Sequence, residues 1–490
     1  MRPGMLCWQN PGMHLVKPKM EVAVMMIAAC GLCQSPPASP DRPWHSPEER
    51  QIARETKRAS QAAFPIASSK TYALPELIDL AESHNPDTRV AWEAARAQAA
   101  SLGIARAELY PTLTAVALAG VNRAEIPFGT EFYRQTVPAF DANLELDYTI
   151  LDFGARRGRI DAQAARLLET NFGFNDVHRN VIFRVQEAYY RLLNFVGQEA
   201  AARASLANAQ AVQDASEARL HNGLATLPDV LEARSATAQA QYDLAAVLGL
   251  RQIARGDLAT ALGAPAETAI QVQPLDELHP PDSIGQTVEQ AVDRALEQRP
   301  DLQQRVAGIR QAQAEQKAAR AAFYPKLDLI VDPSAQSLYL QQQNLPWGHT
   351  ADLTGGFGFS LNWSVFDGGA RRNRLAESEA NTRRAEAQVS AARDRIEDEV
   401  WTAYANSNTA FRQREAAAAL LIAATQSYSA ALESYNYGVR NLLDVTAAQR
   451  VLAQARAADV LARTQVLTAL ADLAFRTGDA IQASARRPQP

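Results

Sequence analysis

Two stretches of the chain alternate strictly between apolar and polar positions. In residues 352–367 every second position, from Leu353 to Val365, is a large apolar residue or Gly, and the positions between them are small or polar. Residues 139–151 alternate in the same way. Because successive side chains on a strand point to opposite faces, the pattern predicts two long strands, each with one apolar and one polar face.

Two further strands are predicted just before them, at residues 112–121 and 326–332, with polar loops at residues 122–136 and 333–350. The strand lengths are close to the roughly 9–11 residues that a tilted strand needs to cross a bilayer. The polar face carries acidic and amide side chains, which suit a water-filled lumen. A small sheet in a soluble α+β protein is the alternative interpretation. The candidate lumen-facing residues are Asp141, Asn143, Glu145, Asp147 and Asn362.

Very long helical stretches follow the strands. Residues 371–437 contain neither Gly nor Pro, and residues 159–220 are interrupted only by Gly173 and Gly197. A continuous helix of this length reaches about 100 Å. Apolar residues form narrow stripes spaced three or four apart, as at Val181, Val185 and Tyr189. Such stripes predict side-by-side coiled-coil packing rather than a thick globular core.

The second half of the chain repeats the first. The tripeptide NPD at residues 85–87 recurs as RPD at residues 299–301, and DFGARRGR at residues 152–159 recurs as DGGARRNR at residues 367–374. The offset stays at 214 or 215 residues, so each copy is domain-sized rather than a short solenoid repeat. We therefore divide the chain into a signal peptide with a candidate lipid-modified Cys (1–30), a Pro- and Ser-rich tether (31–70), a first repeat (71–263), a linker (264–286), a second repeat (287–478) and a tail (479–490).

The N-terminal region has the parts of a secretory signal. Lys17 and Lys19 precede the apolar run of residues 22–29, which Cys30 follows. The tetrad IAAC at residues 27–30 is similar to a bacterial lipobox, in which the Cys is acylated. We therefore predict lipidation at Cys30. A plain signal peptide with an incidental Cys is the alternative.

Composition argues against several classes of function. A net charge of −5 and a pI of about 5.9 give no indication of nucleic-acid binding. All three Cys lie within the first 33 residues and the seven His are scattered, so the body has no Cys-based metal site. The sequence contains no nucleotide-binding or zinc-protease motif, and the DFG tripeptide at residues 152–154 lacks the companion kinase motifs. We therefore expect neither an enzyme nor a cofactor.

Four strands cannot close into a barrel by themselves. An open sheet edge in lipid leaves backbone N–H and C=O groups unpaired, at a cost of several kcal/mol each. The smallest usual membrane barrel has about eight strands. No apolar run approaches the roughly 20 residues of a spanning helix. If these strands cross a membrane, several copies of the chain must share one barrel.

The duplicated architecture, the two strand-to-helix joints and two helix-turn-helix tips at residues 219–244 and 434–455 together resemble the TolC family of bacterial outer-membrane efflux and secretion channels. The resemblance covers about residues 70–478. It implies a membrane α+β fold in which a homotrimer forms a 12-stranded β-barrel continued by a periplasmic α-helical barrel. It also implies contact with outer-membrane lipids, a periplasmic adaptor protein and an inner-membrane pump of the RND or ABC type.

The same resemblance implies roles for individual residues at the periplasmic end of the channel. Asp229 and Tyr435 match positions that link helices and hold the periplasmic entrance closed. Arg440 matches the basic partner in that constriction, and Asp444 matches an acid that lines the entrance. Ala447 stands where the family can have a second acid, which argues against a doubled acidic ring. A local alternative is that both acids cap or charge the first turns of helices. The residues expected to dock on the adaptor are Gly223, Leu224, Gly438 and Val439.

These observations predict an outer-membrane channel of a tripartite export system, located in the cell outer membrane and extending into the periplasm. We expect it to pass small molecules from the pump and adaptor to the exterior. Type I protein secretion is the alternative within this class. A soluble periplasmic coiled-coil scaffold is the alternative from another class.

Overall fold

The computed structural model describes residues 51–55, 64–67, 70–278, 281, 283–343 and 345–479. The chain divides into two units, Met1–Pro65 and Ile66–Pro490. Residues 51–55 of the first unit are helical. The predicted signal peptide with Cys30 lies outside the described residues, as do most of the tether and nearly all of the tail. The architecture that follows is that of the second unit.

The α-helices that the structure describes in the second unit fall into two sets of four with identical lengths. None of the described helices is both long enough and apolar enough to span a bilayer. The matched lengths confirm the duplication read from the sequence. The pairs are α1 (Leu74–His84) and α5 (Val288–Gln298) with 11 residues, α2 (Pro86–Ala107) and α6 (Pro300–Ala321) with 22, α3 (Ala155–His221) and α7 (Ala370–Asn436) with 67, and α4 (Leu227–Leu262) and α8 (Leu442–Thr477) with 36.

A single extended residue separates the two short helices of each repeat. Asn85 and Arg299 both precede a Pro and have extended backbone dihedrals, because the Pro ring disfavours the helical conformation of the residue before it. The Asn85 side chain accepts a hydrogen bond of 2.8 Å from the Asp87 backbone N–H and so caps α2. Gly263 and Gly478 end α4 and α8 in the left-handed region.

The first long helix, α3, is continuous through its three internal glycines, Gly158, Gly173 and Gly197. A Cβ placed on Gly197 would lie 2.6 Å from Val460 Cγ1 of α8. A Cβ placed on Gly158 would lie 2.8 Å from the Ala318 backbone N of α6. Glycine at these two positions therefore lets α3 approach helices of the second repeat closely.

The first repeat contributes an unbroken antiparallel hairpin, β2 (Thr112–Phe128) and β3 (Glu131–Leu151). The prediction of a loop at residues 122–136 was wrong for most of that stretch. Arg123 pairs with Thr136 and Glu125 with Arg134, so polar residues continue the ladder. Polarity alone therefore did not mark a loop. Backbone hydrogen bonds continue the ladder through residues 122–128 and 131–136 although many of their side chains are polar.

The second repeat contributes the same hairpin with both strands broken. Its segments are β5 (Lys326–Val331), β6 (Ser334–Gln342), β7 (Gly348–Thr354) and β8 (Phe357–Asn362). Two predictions were wrong here: residues 333–350 include β6, and residues 352–367 are not one strand. The breaks face each other, since the Asp332 backbone N–H donates to the Gly356 carbonyl oxygen at 3.0 Å. A Cβ on Gly355 would lie 2.8 Å from Pro333 Cα.

The segments assemble into one sheet with four strand positions. β5 and β6 pair with successive parts of β3, while β8 and β7 pair with β5 and β6 in turn. The order across the sheet is therefore β2, β3, β5/β6 and β7/β8. Four strand positions attached to long duplicated helices confirm the predicted α+β architecture. A separate parallel pair joins β1 (Thr71–Tyr72) to β4 (Gln271–Val272) of the predicted linker.

The helices bury several narrow apolar clusters. One cluster, here called the tip core, lies at the far ends of the long helices and draws residues from both repeats. A second cluster packs α5 and α6 against the middle of α7. Thin clusters of this kind match the predicted side-by-side packing. The tip core consists of Val212, Ala233, Ala424, Tyr428, Ala431, Tyr435, Leu442, Val445, Leu452 and Ala455.

Candidate functional site: a two-faced sheet and two helix tips

The strand register brings the predicted polar residues onto one face of the sheet. Asp141 lies opposite Gln336, which in turn lies opposite Asp352. Asn362 lies opposite Lys326. Paired residues of neighbouring strands share a face, so this face carries acids along its whole length. The candidate lumen-facing residues Asp141, Asn143, Glu145 and Asp147 alternate along β3 and therefore all belong to it.

Sequence reasoning missed two charged residues of this face. Asp328 on β5 accepts a hydrogen bond of 2.8 Å from the Thr149 hydroxyl. It also lies 3.0 Å from the Lys326 ammonium group. The signal was present in the alternation of residues 326–331, where Lys326, Asp328 and Ile330 take the same face. These side chains line a groove at the end of the sheet that meets the helices.

The opposite face is apolar and exposed. Phe357 is 80% exposed, and Phe359, Leu361 and Leu113 are also largely exposed. They form a continuous surface, since Leu327 pairs with Leu361 and Leu329 with Phe359. Contiguous apolar surface of this kind marks a contact with lipid or with another protein chain.

The two strand-to-helix joints have the same geometry. The Asp152 carboxylate accepts hydrogen bonds from the Gly154 and Arg156 backbone N–H groups at 3.2 and 2.7 Å, and Asp367 does the same for Gly369 and Arg371 at 3.1 and 3.0 Å. Each carboxylate also accepts from the guanidinium of the Arg four residues on, at 3.1 and 2.9 Å. The repeated DxGAR motif is thus an N-terminal cap that starts a long helix directly after a strand.

The two helix tips also share one turn geometry. The Leu224 backbone N–H donates to the Arg219 carbonyl oxygen at 2.8 Å, and the Val439 N–H donates to the Ser434 carbonyl oxygen at 2.9 Å. Gly223 and Gly438 occupy the left-handed region at φ 72° and 74°. Leu224 and Val439 are exposed, so each tip presents an apolar side chain to its surroundings.

The candidate gate residue Asp229 is engaged in its own tip. Its carboxylate accepts hydrogen bonds from the Thr226 backbone N–H and hydroxyl at 2.9 and 2.7 Å, which forms a capping box at the start of α4. The hydrogen bonds from Thr226 hold the pKa of Asp229 below its usual value. Within the chain, the local capping role is therefore filled by Asp229.

The other candidate gate residues differ in exposure. Tyr435 is buried, with 6% exposed, and its hydroxyl has no hydrogen-bond partner among the described residues. Inside one chain, Asp229 and Tyr435 are thus not joined by a hydrogen bond. Arg440 and Asp444 are exposed. Asp444 does not cap α8, because Asn441 takes that role by accepting from the Asp444 backbone N–H at 3.0 Å.

Sequence reasoning missed Arg219, which connects the two tips. Its guanidinium carbon lies 4.4 Å from the centroid of the Tyr435 ring. Its Nη1 donates to the Tyr435 carbonyl oxygen at 2.9 Å. Nothing in the sequence marked this residue beyond its place in the last turn of α3, where a basic side chain is common.

The chain matches the model of the family described as "Outer membrane efflux protein" over residues 77–264 and again over residues 291–479. Three curated relatives illustrate its similarity to known proteins. Protein CyaE of Bordetella pertussis is 30% identical over 412 residues, which cover 82% of this chain and 83% of the relative. Outer membrane protein OprJ of Pseudomonas aeruginosa is 26% identical, covering 93% and 95%. The pyoverdine export outer membrane protein OpmQ of the same species is 28% identical, covering 63% and 67%.

Solved structures have the same fold. The outer-membrane channel OprN superposes with a TM-score of 0.73 at 20% identity, over 86% of this chain and 95% of that one. A membrane protein from Pseudomonas aeruginosa superposes with a TM-score of 0.72 at 27% identity, over 85% and 97%.

Proposed function

Because the chain belongs to the outer membrane efflux protein family, we propose that three copies close their sheets into one outer-membrane barrel that exports small molecules. One observation carries the proposal. The four-position sheet has an exposed apolar face, and its outer strands, β2 and β7/β8, are each paired on one side within the described residues. Unpaired edges and an apolar face are stable in a membrane only when further strands close the sheet.

The helices supply an independent argument for several copies. Inside the chain, α3 packs against α6, so that Gly158 approaches Ala318 and Gly173 approaches Gln304. In the first repeat, the positions equivalent to Ala318 and Gln304 are Ile104 and Val90 of α2. These two apolar side chains are 73% and 70% exposed.

The exposed pair is explained if α7 of a neighbouring copy packs on α2 as α3 packs on α6. Gly158 corresponds to Asn373 in the second repeat, so Asn373 of one copy would approach Ile104 of the next. A contact that repeats from copy to copy generates a ring when its rotation closes, as closure of the shared barrel requires here. Three chains with two repeats each then surround one axis.

The polar sheet face becomes the lumen in this arrangement, and the apolar face meets outer-membrane lipid. Acids such as Asp141, Asp147 and Asp328 then lie along a wet path. Asp444 of three copies would form an acidic ring at the entrance, near Arg440. Clustered negative charge attracts cations, so Asp444→Asn should lower cation selectivity.

The proposed cargo and partners rest on the relatives and the tips. The relative OpmQ is named for export of pyoverdine, which supports small molecules as the cargo class. The exposed apolar residues Leu224 and Val439 would dock on a periplasmic adaptor, which connects to an inner-membrane pump of the RND or ABC type. Acylation of Cys30, outside the described residues, would add a lipid anchor.

Planar-bilayer recording tests the proposal. The protein is extracted from outer membranes with detergent, purified and added to a bilayer. We expect discrete current steps that become less cation-selective in the Asp444→Asn variant. Recovery of the protein as a soluble periplasmic monomer that produces no current would support the coiled-coil scaffold instead.

A further inference from the structure

The two tips of one chain meet in the tip core, a small apolar cluster. The tip core contains Val212 and Ala233 from the first repeat, and residues such as Tyr428 and Leu452 from the second. Apolar packing of this kind is not directional. It therefore resists separation of the hairpins without fixing one orientation between them.

Arg219 provides a directional contact at the outer end of this core. It extends from the last turn of α3 to the last turn of α7, where it stacks on the Tyr435 ring at 4.4 Å and donates to the Tyr435 carbonyl oxygen at 2.9 Å. A guanidinium suits this position because it can stack on an aromatic ring and donate in its own plane simultaneously. The carbonyl lies at a helix C-terminus, which favours a cation.

Tyr435 is the main contact of the Arg219 guanidinium across the two tips. Arg219 is half-buried and Tyr435 is buried. Asp229 belongs to the same tip and also experiences the Arg219 charge, but its carboxylate is engaged by Thr226. Arg219 therefore bridges the first tip to the second, whereas Asp229 organises the first tip alone.

We propose that Arg219 is a latch between the two tips of each chain, which holds the second tip in place while the periplasmic entrance is closed. The proposal rests on the proposed channel function, and Arg219 acts in it as a positioning residue. Loss of the latch frees the turn at Tyr435 and raises the probability that the entrance opens.

Arg234 offers a matched control. It is also an arginine of the first tip, and its Nε donates to Glu217 at 2.9 Å. That contact joins α4 to α3 within one hairpin, so Arg234→Gln removes an arginine without touching the second tip. Arg219→Lys retains the charge at the end of α3 but loses the planar stacking group.

Hydrogen exchange followed by mass spectrometry tests the latch without requiring conduction. In detergent-solubilised wild-type complexes and variants, we expect Arg219→Gln to accelerate amide exchange in residues 434–442 about tenfold, the scale of one cation–π contact together with one hydrogen bond to a charged group. Arg219→Lys should fall between wild type and Arg219→Gln, and Arg234→Gln should match wild type. If Arg219→Lys behaves as wild type, Arg219 only neutralises the end of α3, and the latch is refuted.

A double-mutant cycle isolates the contact itself. Tyr435→Leu removes the ring, and the variant with both changes should exchange no faster than the more affected single variant. Additive effects would refute coupling between the two residues. In planar bilayers, open probability should rise up to about tenfold in Arg219→Gln. Faster exchange with unchanged open probability would refute the gating role, while absence of current from every form, wild type included, would instead refute the proposed channel.

Discussion

The two repeats have helices of equal length but different local chemistry. In the first repeat the strands β2 and β3 are unbroken, whereas in the second both strands are interrupted where Pro333 faces Gly355. The strand-to-helix joint of the first repeat has Phe153 at a positive φ of 51°, and the second has Gly368 at 64°. Phe153 stacks on Tyr324 with ring centroids 5.0 Å apart, a contact that offsets the strain of a non-glycine residue in this region.

The largest difference lies between the short helices. Asn85 in the first repeat is a simple cap that also donates to the Ala261 carbonyl oxygen at 2.9 Å. Its counterpart Arg299 is buried, with 3% exposed, and contacts Asp301 at 2.7 Å and Glu399 at 2.8 Å. The comparison shows that helix lengths are shared between the repeats, while the groups that stabilise each junction have diverged.

The largest expected effect comes from breaking the Arg299 network. Arg299→Met should lower the free energy of unfolding by about 3 kcal/mol, because Asp301 and Glu399 lose three charge-assisted hydrogen bonds from the buried guanidinium. Each carboxylate keeps only a more distant cation, Arg179 for Asp301 and Arg476 for Glu399. The matched change Asn85→Ala should cost about 1 kcal/mol, the value of a lost helix cap. Urea unfolding followed by circular dichroism measures both. Equal losses would mean that the network contributes no more than an ordinary cap.

The same network makes a prediction for pH. Burial favours the protonated form of Asp301 and Glu399, but hydrogen bonds and charge from Arg299 outweigh it and hold the pKa of both carboxyls below the usual range. Depressed pKa values give stability that is complete above the unfolded-state pKa and lost as pH falls through the folded-state pKa. The gap between wild type and Arg299→Met should therefore stay constant at neutral pH and narrow below about pH 4. If the difference in the free energy of unfolding between wild type and Arg299→Met stays the same down to the pH of acid unfolding, the assigned role of Arg299 is contradicted.

Replacing a helix glycine with alanine should change the free energy of unfolding less than Arg299→Met does. The sign of the change should differ between Gly158 in the first repeat and Gly308 in the second. Gly158→Ala should cost about 2 kcal/mol, because its Cβ would lie within 3 Å of Ala318 and force α3 and α6 apart. Gly308→Ala, with open space around its Cβ, should stabilise by about 0.5–1 kcal/mol. The first repeat already has Ala94 at the position equivalent to Gly308. Thermal unfolding of both variants checks the contrast, which a loss in Gly308→Ala would contradict.

The smallest expected difference is at the two joints. Asp152→Ala and Asp367→Ala should lower the free energy of unfolding by equal amounts, since each removes one helix cap of the same geometry. Urea unfolding of the two variants should therefore give losses that agree within error. A loss confined to one joint would show that equal hydrogen-bond geometry does not imply equal contribution.

Much of the fold could be read from the sequence because it depends on regular patterns. The repeat offset, the strand alternation and the helix boundaries at Asn85 and Arg299 all follow from local rules for Pro, Gly and period. The polar extensions of β2 and β3 could not, since ladder hydrogen bonds form regardless of side-chain polarity. The breaks at Pro333 and Gly355 could not either, because they depend on the register between two strands.

The candidate site was predictable where it depends on alternation and not where it depends on contacts across the repeats. The acids of β3 share a face by period alone. Asp328 needed the pairing of β5 to join them, and Arg219 needed the end of α3 to meet the end of α7, where it stacks on Tyr435. The capping role of Asp229 was weighed from its place after a turn, and its contact with Thr226 shows that role within the chain.

The central claim is that each chain is one third of a ring in which α7 of one copy packs on α2 of the next. The three native Cys all lie within the first 33 residues. A disulfide that needs both introduced cysteines therefore reports on the contact between the two helices that carry them. Under mild oxidation, the Ile104→Cys, Asn373→Cys double variant in outer membranes should form interchain disulfides and migrate on non-reducing gels as a species of three chains, while each single variant should not. A double variant that stays monomeric while its sheet remains in the membrane would contradict the account.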